Sequence, residues 1–271
     1  MNYNKLIAGM KRFGSTEHDI VQHALRVPLE KINKNVIIAP WWEPDTLPGL
    51  GEAELISPQD SHDKKTWNIK GDKFNMTYIK TGIGAPYFMD SLLPLALTKC
   101  KRIIFIGSVG SMDFDIGIGD IVIPEHSVCG DGASRYIASD DLKHDVFGEK
   151  VYPDLDMNNT LISETARLCS ENNVKWHIGK NFATDTIFAQ YAHVDTILEM
   201  GCNVIEMETA VAFRAAKLMN IPLVALFSVS DNTVTNKSLV SGRTDEEMEY
   251  RKFVRRELFP QIILSTFEKE M

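Results

Sequence analysis

The chain has 271 residues, 37 acidic against 29 basic side chains, a formal net charge of -8 and 44% hydrophobic residues. At roughly 100–200 residues per domain this is one large domain or two small ones, and wholesale disorder is excluded. The acidic balance, with a pI near 5.4, argues against a nucleic-acid-binding surface, which needs clustered Lys and Arg. The longest apolar stretch, Ile221 to Val229, is about nine residues against the ~20 that cross a bilayer, and the amino terminus has no long apolar h-region. A cytoplasmic protein without a membrane partner is expected. Cys100, Cys129, Cys169 and Cys202 are scattered, with no Cys-x-x-Cys or His-Glu-x-x-His spacing, so neither a metal nor another cofactor is expected.

In chain order, Val36 to Ala39 is a buried-strand run closed by Pro40, Phe74 to Lys80 alternates and stops before Gly82, and Arg102 to Ile106 meets Gly107. Ile121 to Ile123 ends at Pro124, and Leu223 to Val229 ends at Ser230-Asp231. Between and after these runs, Tyr87 to Thr98, Asn158 to Asn172, Glu206 to Met219 and Thr244 to Lys269 carry helical apolar spacing. Strands alternating with helices, with no linker or repeat, predict one α/β domain over residues 1–271 with a largely parallel sheet. In such sheets ligands bind beyond the carboxyl ends of strands. That rule selects the 82–86 turn, Gly107-Ser108 and Asp231.

Four motifs could carry chemistry. Thr81-Gly-Ile-Gly-Ala-Pro86 follows a strand and opens a helix, so its backbone N–H groups, Gly84 among them, could meet an anion; a structural turn explains it equally well. Tyr87 stands where a dinucleotide fingerprint needs a third glycine, and no P-loop occurs. Ser108, in Gly107-Ser-Val-Gly110, could hydrogen-bond a ligand oxygen or merely belong to a glycine turn. Glu206 and Glu208 are two apart and share no helix face, so one can enter a pocket while the other caps a helix or faces water. Asp231 follows the most apolar strand; it either caps the next segment or, if desolvated, becomes a general acid.

In order and combination these motifs resemble the nucleoside phosphorylase superfamily, meaning purine nucleoside and uridine phosphorylases with the methylthioadenosine/adenosylhomocysteine nucleosidases. The matching segments are Thr81–Pro86, Ile106–Gly110, Gly119–Val122, Asp131–Ser134, Ala183–Thr186, Glu206-Met-Glu208 and Ser228-Val-Ser-Asp231. The resemblance implies a single-domain three-layer α/β/α fold around a central mixed, largely parallel twisted sheet. It implies cleavage of the N-glycosidic bond of a nucleoside, purine by preference, with phosphate as co-substrate.

By the same resemblance Glu208 binds the ribose hydroxyls beside Glu206, Met207 packs under the sugar, and Asp231, oriented by Ser230, protonates the leaving base. Ile187, Phe188 and Gln190 face the base. Ser108, Gly107 and Gly84 meet phosphate. His23 reaches the ribose of a neighbouring subunit, so a homo-oligomer built from dimers with shared active sites is expected. Three phosphate-binding arginines of the family have no counterpart: Trp41-Trp42-Glu43 fills the loop after the first strand, Phe105 replaces the arginine before Gly107, and a neighbour-supplied arginine falls near His62. Two alternatives follow from that loss. One is a nucleosidase in which Glu43, desolvated beside Trp42, activates water; the other is a non-catalytic nucleoside-binding protein.

Overall fold

The structure is a computed structural model that describes residues 1–61 and 63–269, so the position near His62 lies outside the described residues. Its strands are β1 (Asn35–Ala39), β2 (Glu52–Leu55), β3 (Lys65–Lys70), β4 (Asn75–Lys80), β5 (Arg102–Ser111), β6 (Ile121–Cys129), β7 (Lys150–Val151), β8 (Trp176–Ala183), β9 (Val204–Glu206) and β10 (Leu223–Asn232). The helices are α1 (Tyr3–Arg12), α2 (Glu17–Leu25), α3 (Ala85–Leu92), α4 (Arg135–Ala138), α5 (Leu155–Asn172), α6 (Ile187–Gln190), α7 (Val194–Glu199), α8 (Thr209–Met219), α9 (Asp245–Phe253) and α10 (Phe259–Glu268).

The five expected strand runs all fall on strands, and β5, β6 and β10 extend several residues past the apolar runs that announced them. All ten strands join one mixed sheet. Parallel pairing links β4, β1, β5 and β10 in that order, and also β6 with β8 and β8 with β9. Antiparallel pairing adds the β2–β3–β4 meander, β7 on β6, β6 on β10 and β9 on β5. Short connections account for the antiparallel β2–β3–β4 meander, whereas the antiparallel β5–β9 and β6–β10 pairs join strands far apart in the chain. Because β10 also pairs β5, the strands β5, β10, β6, β8 and β9 close a ring of pairings.

The central strands are apolar at nearly every position because both faces are covered. Val36, Ile38, Ile103, Phe105, Leu223, Ala225 and Phe227 pack with α2, α3 and α8. Ile37, Ile104, Ile106, Val224 and Leu226 pack with α5 and α10. Local signals set the helix ends. Thr16 with Asp19 and Thr244 with Glu247 form capping boxes on α2 and α9, and Asn173 and Asn220 end α5 and α8 in the left-handed conformation.

Three expected helices differ in detail. Of Tyr87 to Thr98, only the part to Leu92 is α-helical, and Leu93–Leu97 forms a 3-10 turn. Glu206 ends β9, and α8 begins only at Thr209. The long carboxyl-terminal helix is interrupted by a π-helical stretch, Val254–Leu258. Pro260 has no N–H to give residue 256, which removes one α-helical bond where the backbone widens.

Phe105 is the centre of an aromatic stack, 4.5 Å from Phe88 and 5.0 Å from Phe227 between ring centroids. Phe105→Ala should destabilise the fold by about 3–5 kcal/mol, the cost of an unfilled aromatic site. Denaturant unfolding tests this; an unchanged midpoint would show that the stack contributes nothing.

Candidate active site

The register between β5 and β10 shifts between Val229 and Asp231, a bulge that turns the Asp231 side chain toward Gly110 of β5. A Cβ on Gly110 would stand 3.2 Å from both Asp231 Oδ2 and Ile205 Cγ2, so the missing side chain makes room for the carboxylate. Ser230 Oγ donates to Asp231 Oδ1, and the Val109 carbonyl lies 3.2 Å from the same hydroxyl. Asp231 is buried. Burial pushes its pKa above the usual carboxylate range, against the hydrogen bond from Ser230 and the charges of Arg243 and Arg251.

Across the cavity, β9 hands over to α8 through Glu206, Met207 and Glu208. Glu206 Oε2 accepts from the N–H groups of Glu208 (2.6 Å) and Thr209 (2.9 Å), while Oε1 accepts from Asn181 Nδ2 (2.6 Å) and Thr209 Oγ1 (2.5 Å). Both of its carboxylate oxygens are engaged at the start of the helix, although Glu206 also lines the cavity, where it was expected to meet the sugar. Glu208 projects the other way, and its Oε1 accepts from Gly84 N–H at 2.6 Å. The same bond corrects the expectation for Gly84: its N–H is spent on Glu208 rather than held for an anion.

Asp231, Glu208, Glu206, Met207, Ser230, Ser108, Gly107, Ile187 and Gln190 all line one cavity of about 310 Å³, closed on other sides by Trp41, Trp42, Phe105, Arg243 and Arg251. That volume lies in the range of small-molecule sites. A larger cleft of about 530 Å³, between β7 and the end of α8, contains none of these residues. Phe188 is absent from the cavity lining and is 93% exposed. On α6, Ile187 and Gln190 are three apart and share the inward face, whereas Phe188 sits about 100° away on the outside. His23, in the last turn of α2, does not line the cavity either.

Glu43 lies in an adjoining chamber of about 480 Å³. Burial raises its pKa, but Lys80 Nζ (2.8 Å) and Lys65 Nζ (3.2 Å) both donate to Oε1 and bring it below the ordinary value. A carboxylate so held is a weaker proton acceptor than a free one, which counts against the general-base role expected of it. Arg243 is no ion-pair partner of Asp231 by contact; its guanidinium donates to the carbonyls of Ser230 and Leu239.

The residue that sequence reasoning missed is Arg251. Its Nη2 donates to Ser108 Oγ at 2.6 Å across 143 positions of sequence, and it lines both chambers. Its only sequence signal was its place, seven residues into a charged helix. Among the described residues no group of three or more His, Cys, Asp or Glu side chains could hold a metal ion, and no helix is long and apolar enough to cross a membrane.

The sequence profile of the Phosphorylase superfamily matches residues 51–257. Among characterised relatives, a guanosine phosphorylase of Halorubrum lacusprofundi is 22% identical over 202 residues, 74% of this chain and 78% of that protein. A uridine phosphorylase of Thermococcus kodakarensis is 26% identical over 225 residues, 75% of each chain. Among solved structures, uridine phosphorylase from Vibrio fischeri superposes with a TM-score of 0.71 at 20% identity, covering 89% of this chain and 94% of that one. AMP nucleosidase from Bacteroides thetaiotaomicron superposes with a TM-score of 0.67 at 15% identity, covering 93% and 96%. At these identities the superpositions show a shared mixed α/β fold.

Burial, followed by the charge of Glu206, raises the Glu208 carboxyl from 4.5 to about 8. The folded state thus holds this proton more tightly than the unfolded chain does, so the stabilisation is complete below about pH 4.5 and lost as pH rises through about 8. The melting temperature of the ligand-free protein should therefore fall between about pH 5 and pH 9, and fall less in Glu208→Gln. Parallel curves for the two proteins would show that Glu208 is ionised throughout.

Proposed function

The chain belongs to the phosphorylase superfamily, and on that premise we propose that it cleaves the N-glycosidic bond of a purine nucleoside with phosphate as ribosyl acceptor. The observation that carries this reading is that Asp231 and Glu208 open onto one cavity of nucleoside size. As the bond breaks, its electron pair leaves with the base, and the proton of the Asp231 carboxyl passes to a ring nitrogen. A phosphate oxygen then bonds the anomeric carbon, giving free base and ribose 1-phosphate. Glu208 accepts hydrogen bonds from the vicinal hydroxyls of the sugar, with Met207 beneath it. Ile187 and Gln190 border the base, and Ser108 and Gly107 border the phosphate.

The raised pKa of Asp231 supports the acid role, because a general acid must keep its proton until the base departs. A purine suits this arrangement, since its imidazole ring offers a nitrogen that becomes basic as the bond lengthens. Water activated by Glu43 is disfavoured by the two lysines that hold that carboxylate. The exposed Phe188 and the absence of His23 from the cavity lining fit an assembly in which a second copy covers the mouth of the cavity and lends its own histidine.

A panel of purine and pyrimidine nucleosides, assayed with and without phosphate, tests the reading. Phosphate-dependent release of purine base with ribose 1-phosphate is expected. Asp231→Asn should lower kcat by roughly 10²–10⁴, the usual worth of a general acid, whereas Glu43→Gln should leave it within about threefold, as for a screened surface pair. Free ribose formed at the same rate without phosphate would overturn phosphorolysis, and nucleoside binding without turnover would overturn catalysis.

A further inference from the structure

The carboxyl-terminal segment brings Arg243, Arg251 and Arg255 against the cavity and its side chamber. Among the described residues the ion-paired arginines are Arg167 and Arg214; no carboxylate lies within 4.0 Å of the other three. Lys80 and Glu43, which share the chamber, neutralise one another at 2.8 Å.

Arg251 is the most deeply placed. Its Nη2 holds Ser108, and its Nε is buried with no hydrogen-bond partner; Arg255 Nε is buried and unpartnered as well. Burial, then the charges of Arg255 and Arg243, pushes Arg251 down to about 10, with only the charge of Asp231 opposing. Desolvated cations are costly unless paired, and a guanidinium with unused donors is a fork shaped for the oxygens of a phosphate. Arg255 is braced for the same task, its guanidinium carbon 5.5 Å from the Trp42 ring centroid.

We propose that Arg251 and Arg255, with the Ser108 hydroxyl between the two chambers, form a phosphoryl-binding subsite whose cations come from the carboxyl-terminal helix. The assignment rests on the reading of the neighbouring cavity as the nucleoside site and names what binds beside it. The phosphoryl group has two sources, free phosphate as the acceptor or the phosphate monoester of a nucleotide substrate. Both present the same dianion, and the chamber of about 480 Å³ has room for either.

The test begins without catalysis, by calorimetric titration of the ligand-free protein with inorganic phosphate and, separately, with AMP and adenosine. Saturable phosphate binding in the wild type is expected, weakened roughly 10- to 150-fold in Arg251→Gln, as for loss of a charge-assisted bond. Because Arg251 also borders the nucleoside cavity, adenosine affinity is the reference against which the loss is read: phosphate should weaken more than adenosine does. Ser108→Ala, a change of one hydroxyl, provides a second variant should Arg251→Gln fail to fold, and it should also weaken phosphate. Weakening of free phosphate assigns the subsite to the acceptor; weakening of AMP relative to adenosine, with free phosphate unbound, assigns it to a monoester. Each of those outcomes supports the subsite. No saturable binding of phosphate or AMP to the wild type, or equal affinities in wild type and both variants, would overturn it. Phosphate binding that depends on Arg251, without any turnover, would uphold the subsite while overturning the proposed reaction.

Discussion

Everything in the site turns on where the Glu206 carboxylate spends its lone pairs. Glu206 and Glu208 both border the cavity, two positions apart at a strand-to-helix junction, and neither can be buried without donors. Glu206 takes two backbone N–H groups of the first turn of α8, together with Asn181 and the Thr209 hydroxyl. Those bonds satisfy helix donors that would otherwise be orphaned and place negative charge at the positive end of the helix dipole. With residues 206–209 fixed in this way, Glu208 has one direction left. It points to the Gly84 N–H, which lies at the start of α3, and so ties two helices to the rim of the same cavity. Burial keeps the Glu208 pKa high, and the charge of its neighbour adds to it.

The opposite wall is set by a different device. A regular β10 would carry Asp231 along the pairing register of β5, but the bulge after Val229 inserts one residue and re-aims the carboxylate. Gly110 is the counterpart on β5; a Cβ there would press on Asp231 and Ile205 at 3.2 Å, closer than most side-chain contacts. The bulge and the glycine are complementary features of two strands, joined by the same parallel pairing that forms the core. The acid is therefore held by the fold rather than by a flexible loop.

Most of this was legible wherever the signal was local. The strand runs around Ile104 and Leu226 read correctly because burial on both faces leaves an unbroken apolar stretch. The strand-end rule led to Ser108 and Asp231, and the family resemblance supplied their roles. Glu206 was harder, because its spacing from Glu208 showed that the two must diverge but not which of them turned inward. Phe188 was placed at the base by the resemblance alone, because a four-residue helix cannot display its periodicity; in the structure it lies exposed on the outer face of α6. β8 went unread because polar and glycine positions interrupt its alternation. Arg251 lay beyond reach, since no local pattern announces a contact across 143 residues.

The aromatic stack and the arginine cluster are two sides of one constraint. A guanidinium at position 105 would lie between Phe88 and Phe227, an apolar setting in which an unpaired charge costs several kcal/mol. Phenylalanine there gives the core its packing and leaves the strand unable to supply a cation. The helix end solves the problem from outside. Arg251 enters over the rim, from a segment whose π-helical turn and Pro260 sit against the β1 loop through Phe259 and Trp42, and only its head reaches Ser108. In a chain of net charge -8, long-range attraction of an anion is unfavourable. Any affinity for one must be generated within a few ångströms, by buried donors that are already oriented and have nothing else to bind.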